Sequence, residues 1–121
     1  MVDRDLVTRK MALILADLRA VAPIVEKPLD DYLARGTDEI LAERYLERMI
    51  GRMIDINYHL ITEAGHAPPR DYYESFTQLA KLQILPPAFA SQIAACAGLQ
   101  AAVRDIPEYL RRGHEHLASM P

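Results

Sequence analysis

An all-α, up-and-down bundle of four or five helices is the fold this sequence predicts, and three observations predict it. Apolar residues recur at spacings of three and four over long stretches, strand-like alternation is missing, and Pro and Gly fall between the periodic segments. The 121 residues suit one domain spanning 1–121, with room for one substantial core.

Each element has its own signal. Val7, Met11, Ile14, Leu18 and Val21 form one apolar stripe, and Pro23 is expected to end that helix. Residues Val25 to Gly36 read as a connector, in which Leu29-Asp30-Asp31-Tyr32-Leu33 has room for one helical turn. Thr37 is the candidate N-cap of a second and longest helix, with Asp38 and Glu39 complementing the positive end of its dipole. That helix should run to about Ala64 and stop at Gly65. Its core stripe is Ala42, Leu46, Met49, Met53, Ile56 and Leu60, widened by Ile50, Ile54 and Ile61. So broad an arc implies burial against two other helices or a second subunit.

After Ala67-Pro68-Pro69, a third helix spans about Arg70 to Gln83, with Tyr73, Phe76, Leu79 and Ala80 facing inward. Pro86-Pro87 opens an Ala-rich fourth helix reaching Ala97, and Gly98 is its natural end. From Gln100 to Ala118 the chain is helical again, with Ala102, Val103, Ile106, Leu110 and Leu117 apolar. Pro107 is expected to kink this segment or to mark a fresh start capped by Asp105.

Composition narrows the function classes. The chain is 50% hydrophobic and 26% charged, the balance of a soluble globular domain. One cysteine, Cys96, excludes an internal disulfide framework and reads as a small core residue. No apolar run approaches the roughly 20 residues a membrane span needs, and the MVDRDLVTRK start has no apolar signal core, so no membrane association is expected and the location reads as cytoplasmic. A net charge of −3 without a basic tail argues against strong non-specific nucleic-acid binding, yet leaves room for a local RNA cleft lined by a few arginines.

Three constellations could carry chemistry. On the second helix Arg44, Arg48, Arg52, Asp55 and His59 share one face, expected opposite the core stripe. Arg48 and Arg52 could bind phosphate oxygens, while Asp55 at i, i+4 could orient His59 for proton transfer. The plainer interpretation is a solvated helix face with ordinary ion pairs. Asn57 falls within the apolar arc and is expected to be buried as structural glue. Second, Arg111 and His116 are separated by four residues, on a helix end whose cations also suit the dipole without any function. Third, His114-x-His116 converges poorly on one ion, so no metal site is expected, and no cofactor.

The wording ERYLERMIGRMIDINYHLITEAG from Glu43, followed by DYYESFTQLAKLQILPPAFASQIAACAGL from Asp71 to Leu99, resembles the HepT-like proteins of the HEPN superfamily. These are small all-helical bacterial proteins, many of them ribonuclease toxins. Asp55-Ile56-Asn57-Tyr58-His59 is similar to wording such proteins carry midway along this helix, near the dimer cleft. The resemblance implies a homodimer, metal-independent RNA cleavage and a partner nucleotidyltransferase antitoxin that attaches AMP to a family tyrosine. In the family the Ala-Gly-Leu-like turn precedes Arg-Asn, four residues, His, one residue and Tyr. Here Ala97-Gly98-Leu99 is followed by Gln100-Ala101-Ala102-Val103, and similarity resumes over Leu99 to Arg104, like the family's closing helix.

Two explanations fit this junction. The motif-bearing stretch is deleted, leaving an inactive helical module that binds a nucleotide or substrate alongside a nucleotidyltransferase. Or the stretch belongs to the protein as a mobile loop, the favoured expectation, and the chain is the toxin endoribonuclease itself. The loop reading expects one Cα pair between Cys96 and Ala101, foremost Leu99 and Gln100, to lie much farther apart than the ~3.8 Å of a trans peptide.

Overall fold

The computed structural model describes residues 1–28, 30–31, 36–95 and 99–121. Five α-helices follow one another: α1 (Arg4–Val25), α2 (Gly36–Glu63), α3 (Tyr72–Lys81), α4 (Pro87–Ala94) and α5 (Leu99–Ser119). No strand occurs among the described residues, so the all-α bundle stands. In the connector Asp30 and Asp31 are helical, while Leu29 and Tyr32 to Arg35 lie outside the described residues.

Helix α1 starts where Asp3 accepts the Leu6 amide at 3.0 Å, satisfying a donor that the helix itself leaves unpaired. Its expected stripe is buried throughout, from Val7 to Val21. Pro23 does not end it. A proline removes one N–H but keeps a helical φ, so the chain continues to Val25, and Glu26 closes the turn on the Ala22 carbonyl.

Helix α2, 28 residues long, is the longest element. It begins at Gly36, so Thr37 lies inside the first turn instead of capping it. Asp38 is drawn inward by Lys27, whose Nζ lies 2.7 Å from its carboxylate. At the far end Gly65 takes φ +88°, while His66 and Gly65 donate to the Ile61 and Thr62 carbonyls, a left-handed stop that glycine makes cheaply. The apolar arc of α2 packs chiefly on α1, then on α3 and α5. Its breadth therefore has an explanation inside the chain, with Leu46 and Ile50 only partly buried.

Helix α3 is shorter than its apolar pattern predicts. Asp71 caps it by accepting the Glu74 amide at 2.8 Å, and Lys81 ends it. Phe76 and Leu79 are buried as expected, but Tyr73 is 49% exposed. With the helix starting at Tyr72, the first turn stands clear of the core. Pro87 occupies the first position of α4, where its missing N–H costs nothing. The expected reach of α4 to Ala97, its stop at Gly98 and the core role of Cys96 lie outside the described residues.

Helix α5 passes through Pro107 without a break. Pro107 is exposed, while Ile106, Tyr109 and Leu110 on either side are buried and anchor both halves in the core. Asp105 is no cap: its buried carboxylate accepts from Gln92 at 2.7 Å and from Arg104 at 2.8 Å, joining α5 to α4. Gly113 lets α5 close on α1, since a Cβ there would overlap the Met11 Cε.

Candidate functional site

The charged stripe of α2 is centred about 120° from the core stripe, not opposite it, once 100° per residue is counted from Met49 and Met53. It therefore faces the flank of α1. Asp3, Lys10 and Asp17 recur every seven residues on α1 and meet it rung by rung. Arg52 donates to Asp17 at 2.7 Å, and Arg48 approaches the other Asp17 oxygen at 3.3 Å. Lys10 pairs with Asp55 at 3.1 Å, and His59 Nε2 accepts the Asp3 backbone N–H at 2.9 Å. Lys27–Asp38 forms the fourth rung. The rungs run down α1 as they run up α2, so the helices are antiparallel. The sign of charge alternates along the three ionic rungs, and a two-turn slip would set Asp17 against Asp55 or Lys10 against Arg52, which fixes the register.

Arg48, Arg52, Asp55 and His59 thus each have a structural partner. The Asp17 side chain is 6% exposed and neutralised by two guanidiniums, whereas Arg48 remains 45% exposed and also lies over the Tyr45 ring at 5.8 Å. Asp55 and His59 make no hydrogen bond to each other, because Lys10 takes the carboxylate and the Asp3 amide takes the imidazole lone pair. In this arrangement His59 Nε2 is an occupied acceptor, not an available base. Arg44 is exposed and outside the ladder. Asp17 and Lys10 were not among the predicted site residues; the seven-residue repeat of charges along α1 was the signal that could have found them.

Asn57 is fully buried, as expected of structural glue. Its Nδ2 donates to Ser75 Oγ at 3.1 Å, and its Oδ1 accepts from Tyr109 OH at 2.5 Å. Ser75 Oγ donates to the Tyr72 carbonyl at 2.6 Å, so α2, α3 and α5 meet in one satisfied polar knot. Phe76 packs edge-on against Tyr109, with ring centroids 5.9 Å apart. Burial pushes the Tyr109 hydroxyl far above its ordinary value, so it remains a neutral donor.

Near the end of α5, five residues of separation turn Arg111 and His116 about 140° apart. Arg111 pairs with Glu108 and Glu115, each at 2.5 Å, while Arg112 reaches Glu108 at 2.9 Å. Those two guanidiniums hold the Glu108 carboxyl down at about 2, and burial lowers His116 below its ordinary value. The Arg-x4-His spacing therefore does not gather a catalytic pair. No group of three or more His, Cys, Asp or Glu among the described residues is placed to hold a metal ion.

The junction behaves differently from the loop expectation. Leu99 and Gln100 are consecutive residues of α5, so no separation opens between them, while Cys96 to Gly98 lie outside the described residues. Helix formation continues through the junction because Gln100, Ala101 and Ala102 are good helix formers.

Residues 14–107 match the family model described as Ribonuclease HepT-like. Over 72 residues the chain is 38% identical to the tRNA nuclease HepT of Aphanizomenon flos-aquae (strain 2012/KM1/D3), an alignment covering 60% of this chain. The same alignment spans 49%, about half, of that relative's length. Among the described residues no helix is long and apolar enough to cross a membrane.

Proposed function

This chain belongs to the ribonuclease HepT-like family, and from that premise we propose that it is the RNA-cleaving toxin of a toxin–antitoxin pair. It works in the cytoplasm as a homodimer, without a metal or cofactor, and a nucleotidyltransferase antitoxin neutralises it. The family match over residues 14–107 carries this reading, and the likeness to a relative named as a tRNA nuclease supports RNA as the substrate.

Metal-independent cleavage needs a base on the ribose 2′-hydroxyl and a cation on the phosphate. Within this chain His59 is the candidate base, and Arg48 and Arg52 are the candidate phosphate ligands. Asp55, one turn away and paired with Lys10, is the carboxylate that would orient His59 once released. All four are engaged by α1, so RNA has to compete with it. A phosphate takes the place of the Asp17 carboxylate on the two arginines, and His59 leaves the Asp3 amide. Arg48, half exposed and at the longer distance, is the first to exchange.

One observation favours a second reading. The unbroken run from Leu99 into α5 leaves no segment there for the family's Arg-Asn-x4-His-x-Tyr motif. On that reading the chain is an inactive module that binds a nucleotide or substrate and acts with the nucleotidyltransferase. Expression in the absence of the partner separates the two. Growth arrest relieved by the nucleotidyltransferase supports the toxin, while unimpaired growth together with a stable complex with that enzyme supports the module.

A further inference from the structure

We propose that the hollow between the α3–α4 link and the last turns of α5 binds a nucleotide, phosphate towards Arg112 and His116, base against the link. The site lies away from the α1–α2 ladder and does not depend on the cleavage reading.

Two adjoining hollows of about 240 and 430 Å³ share Gln83, Ile84 and Arg112 as lining. Glu115, His116 and Ser119 complete one, and Ala80, Leu85, Pro86 and Pro87 complete the other. Three polar groups here have donors or acceptors that no hydrogen bond among the described residues accounts for. The Gln83 side-chain amide makes none, the His116 ring makes none, and Arg112 uses only its Nε, towards Glu108. Ser119 Oγ, by contrast, is committed to the His116 carbonyl at 2.8 Å. Burial disfavours charge on His116 when nothing is bound, and a phosphate beside it would reverse that preference.

Gln83 adds an independent observation. It is the one described non-glycine residue with positive φ, 63°, where α3 ends on a left-handed turn. Its backbone N–H donates to the Ala80 carbonyl and the next backbone N–H, of Ile84, to that of Leu79. That stop is ordinarily made by glycine, as at Gly65. A long, exposed side-chain amide is held instead on a disfavoured backbone position, at the rim of the hollow and without a hydrogen bond to the other described residues. Disfavoured conformations of this kind concentrate where a side chain has to be presented.

The chemistry of the lining selects the ligand class. An amide offers a donor and an acceptor to a base edge, the Ile84–Pro87 wall offers an apolar face, and guanidinium with imidazole suits a phosphate. Glu115 lines the same hollow and Glu108 takes the Arg112 Nε, but both carboxylates are also tied to Arg111, so the hollow is close to neutral and affinity is modest. The same nucleotide unit could arrive free or within an RNA strand.

Titration of the full chain followed by ¹H–¹⁵N NMR tests this, with uridine monophosphate, uridine, inorganic phosphate and a short single-stranded RNA as separate probes. Saturable shifts at Gln83, Arg112 and His116 are expected with the monophosphate, on the order of 0.1–1 mM, with uridine and inorganic phosphate each about tenfold weaker. Arg112→Gln should weaken binding about tenfold while the spectrum stays that of a folded protein. Gln83→Gly should raise the melting temperature yet weaken the monophosphate; a purely structural glutamine would show the first change alone. Tighter binding of the RNA than of the monophosphate assigns the site to a strand, and equal binding assigns it to the free nucleotide. The proposal is overturned if neither nucleotide probe saturates, if inorganic phosphate matches the monophosphate, or if both variants bind like the parent.

Discussion

Asp17→Ala is the perturbation that separates a structural clasp from an idle surface charge. The carboxylate is 6% exposed and serves Arg52 at 2.7 Å and Arg48 at 3.3 Å. Losing a charge-assisted hydrogen bond to Arg52, itself only 22% exposed, costs about 1.5–3 kcal/mol. Losing Arg48, 45% exposed and free to rehydrate, adds at most about 0.5 kcal/mol. Relief of carboxylate desolvation offsets part of this, leaving a net loss of about 2 kcal/mol. For a domain of this size that lowers Tm by about 8 °C. Urea denaturation followed by circular dichroism reads the change, and a double-mutant cycle apportions it. The Asp17–Arg52 coupling should reach about 1.5 kcal/mol and exceed the Asp17–Arg48 coupling several-fold. A loss below about 0.5 kcal/mol for Asp17→Ala, the range of an ordinary surface change, would refute the clasp.

Three further outcomes follow from the same geometry. Asn57→Ala removes the knot between Ser75 and Tyr109 and should cost about 2–3 kcal/mol in urea unfolding; Tyr109 OH then keeps only the Met53 carbonyl at 3.2 Å. Asp105 is held below its ordinary value first by its hydrogen bond from Arg104, then by Gln92 and the Arg104 charge, against desolvation. Because the folded value is depressed, its contribution is fully present above the unfolded carboxylate value and is lost as pH falls below about 4, so the stability gap between parent and Asp105→Asn should narrow from pH 7 to pH 3. Asp17→Asn, which weakens the competitor for both arginines, should raise RNA affinity several-fold in filter binding while lowering stability, and unchanged affinity would remove Arg48 and Arg52 as phosphate ligands.

Much of the architecture was legible because it depends on periodicity alone. The Val7–Val21 stripe, the long second helix with its Gly65 stop, and the buried Asn57 all follow from which residues repeat at helical spacing. The errors have a common cause: a residue's role was set by its neighbours in space. Pro23 is a known helix breaker, yet its favourable φ carried α1 on to Val25. At Pro107 the fresh start gave way to one continuous helix because Ile106, Tyr109 and Leu110 pack on either side of it. Tyr73 obeys the inward spacing of Phe76 but lies beyond the part of α3 that reaches the core. The charged stripe was correctly grouped but not correctly placed. A modest error in its angle to the core turned an inter-helix ladder into a presumed solvent face, and only the partner charges on α1 reveal the difference. Gln83 could not have been singled out, since nothing in its sequence context marks a left-handed backbone.

The most direct measurement incubates the purified chain with tRNA in EDTA and resolves the products on a denaturing gel. Discrete fragments are expected despite the chelator, lost in His59→Ala and in the Arg48→Ala/Arg52→Ala pair, and formed faster by Asp17→Asn. Intact tRNA at protein excess would contradict a nuclease role and leave the chain as a binding module. Cleavage that persists at the parent rate in His59→Ala would contradict its proposed base.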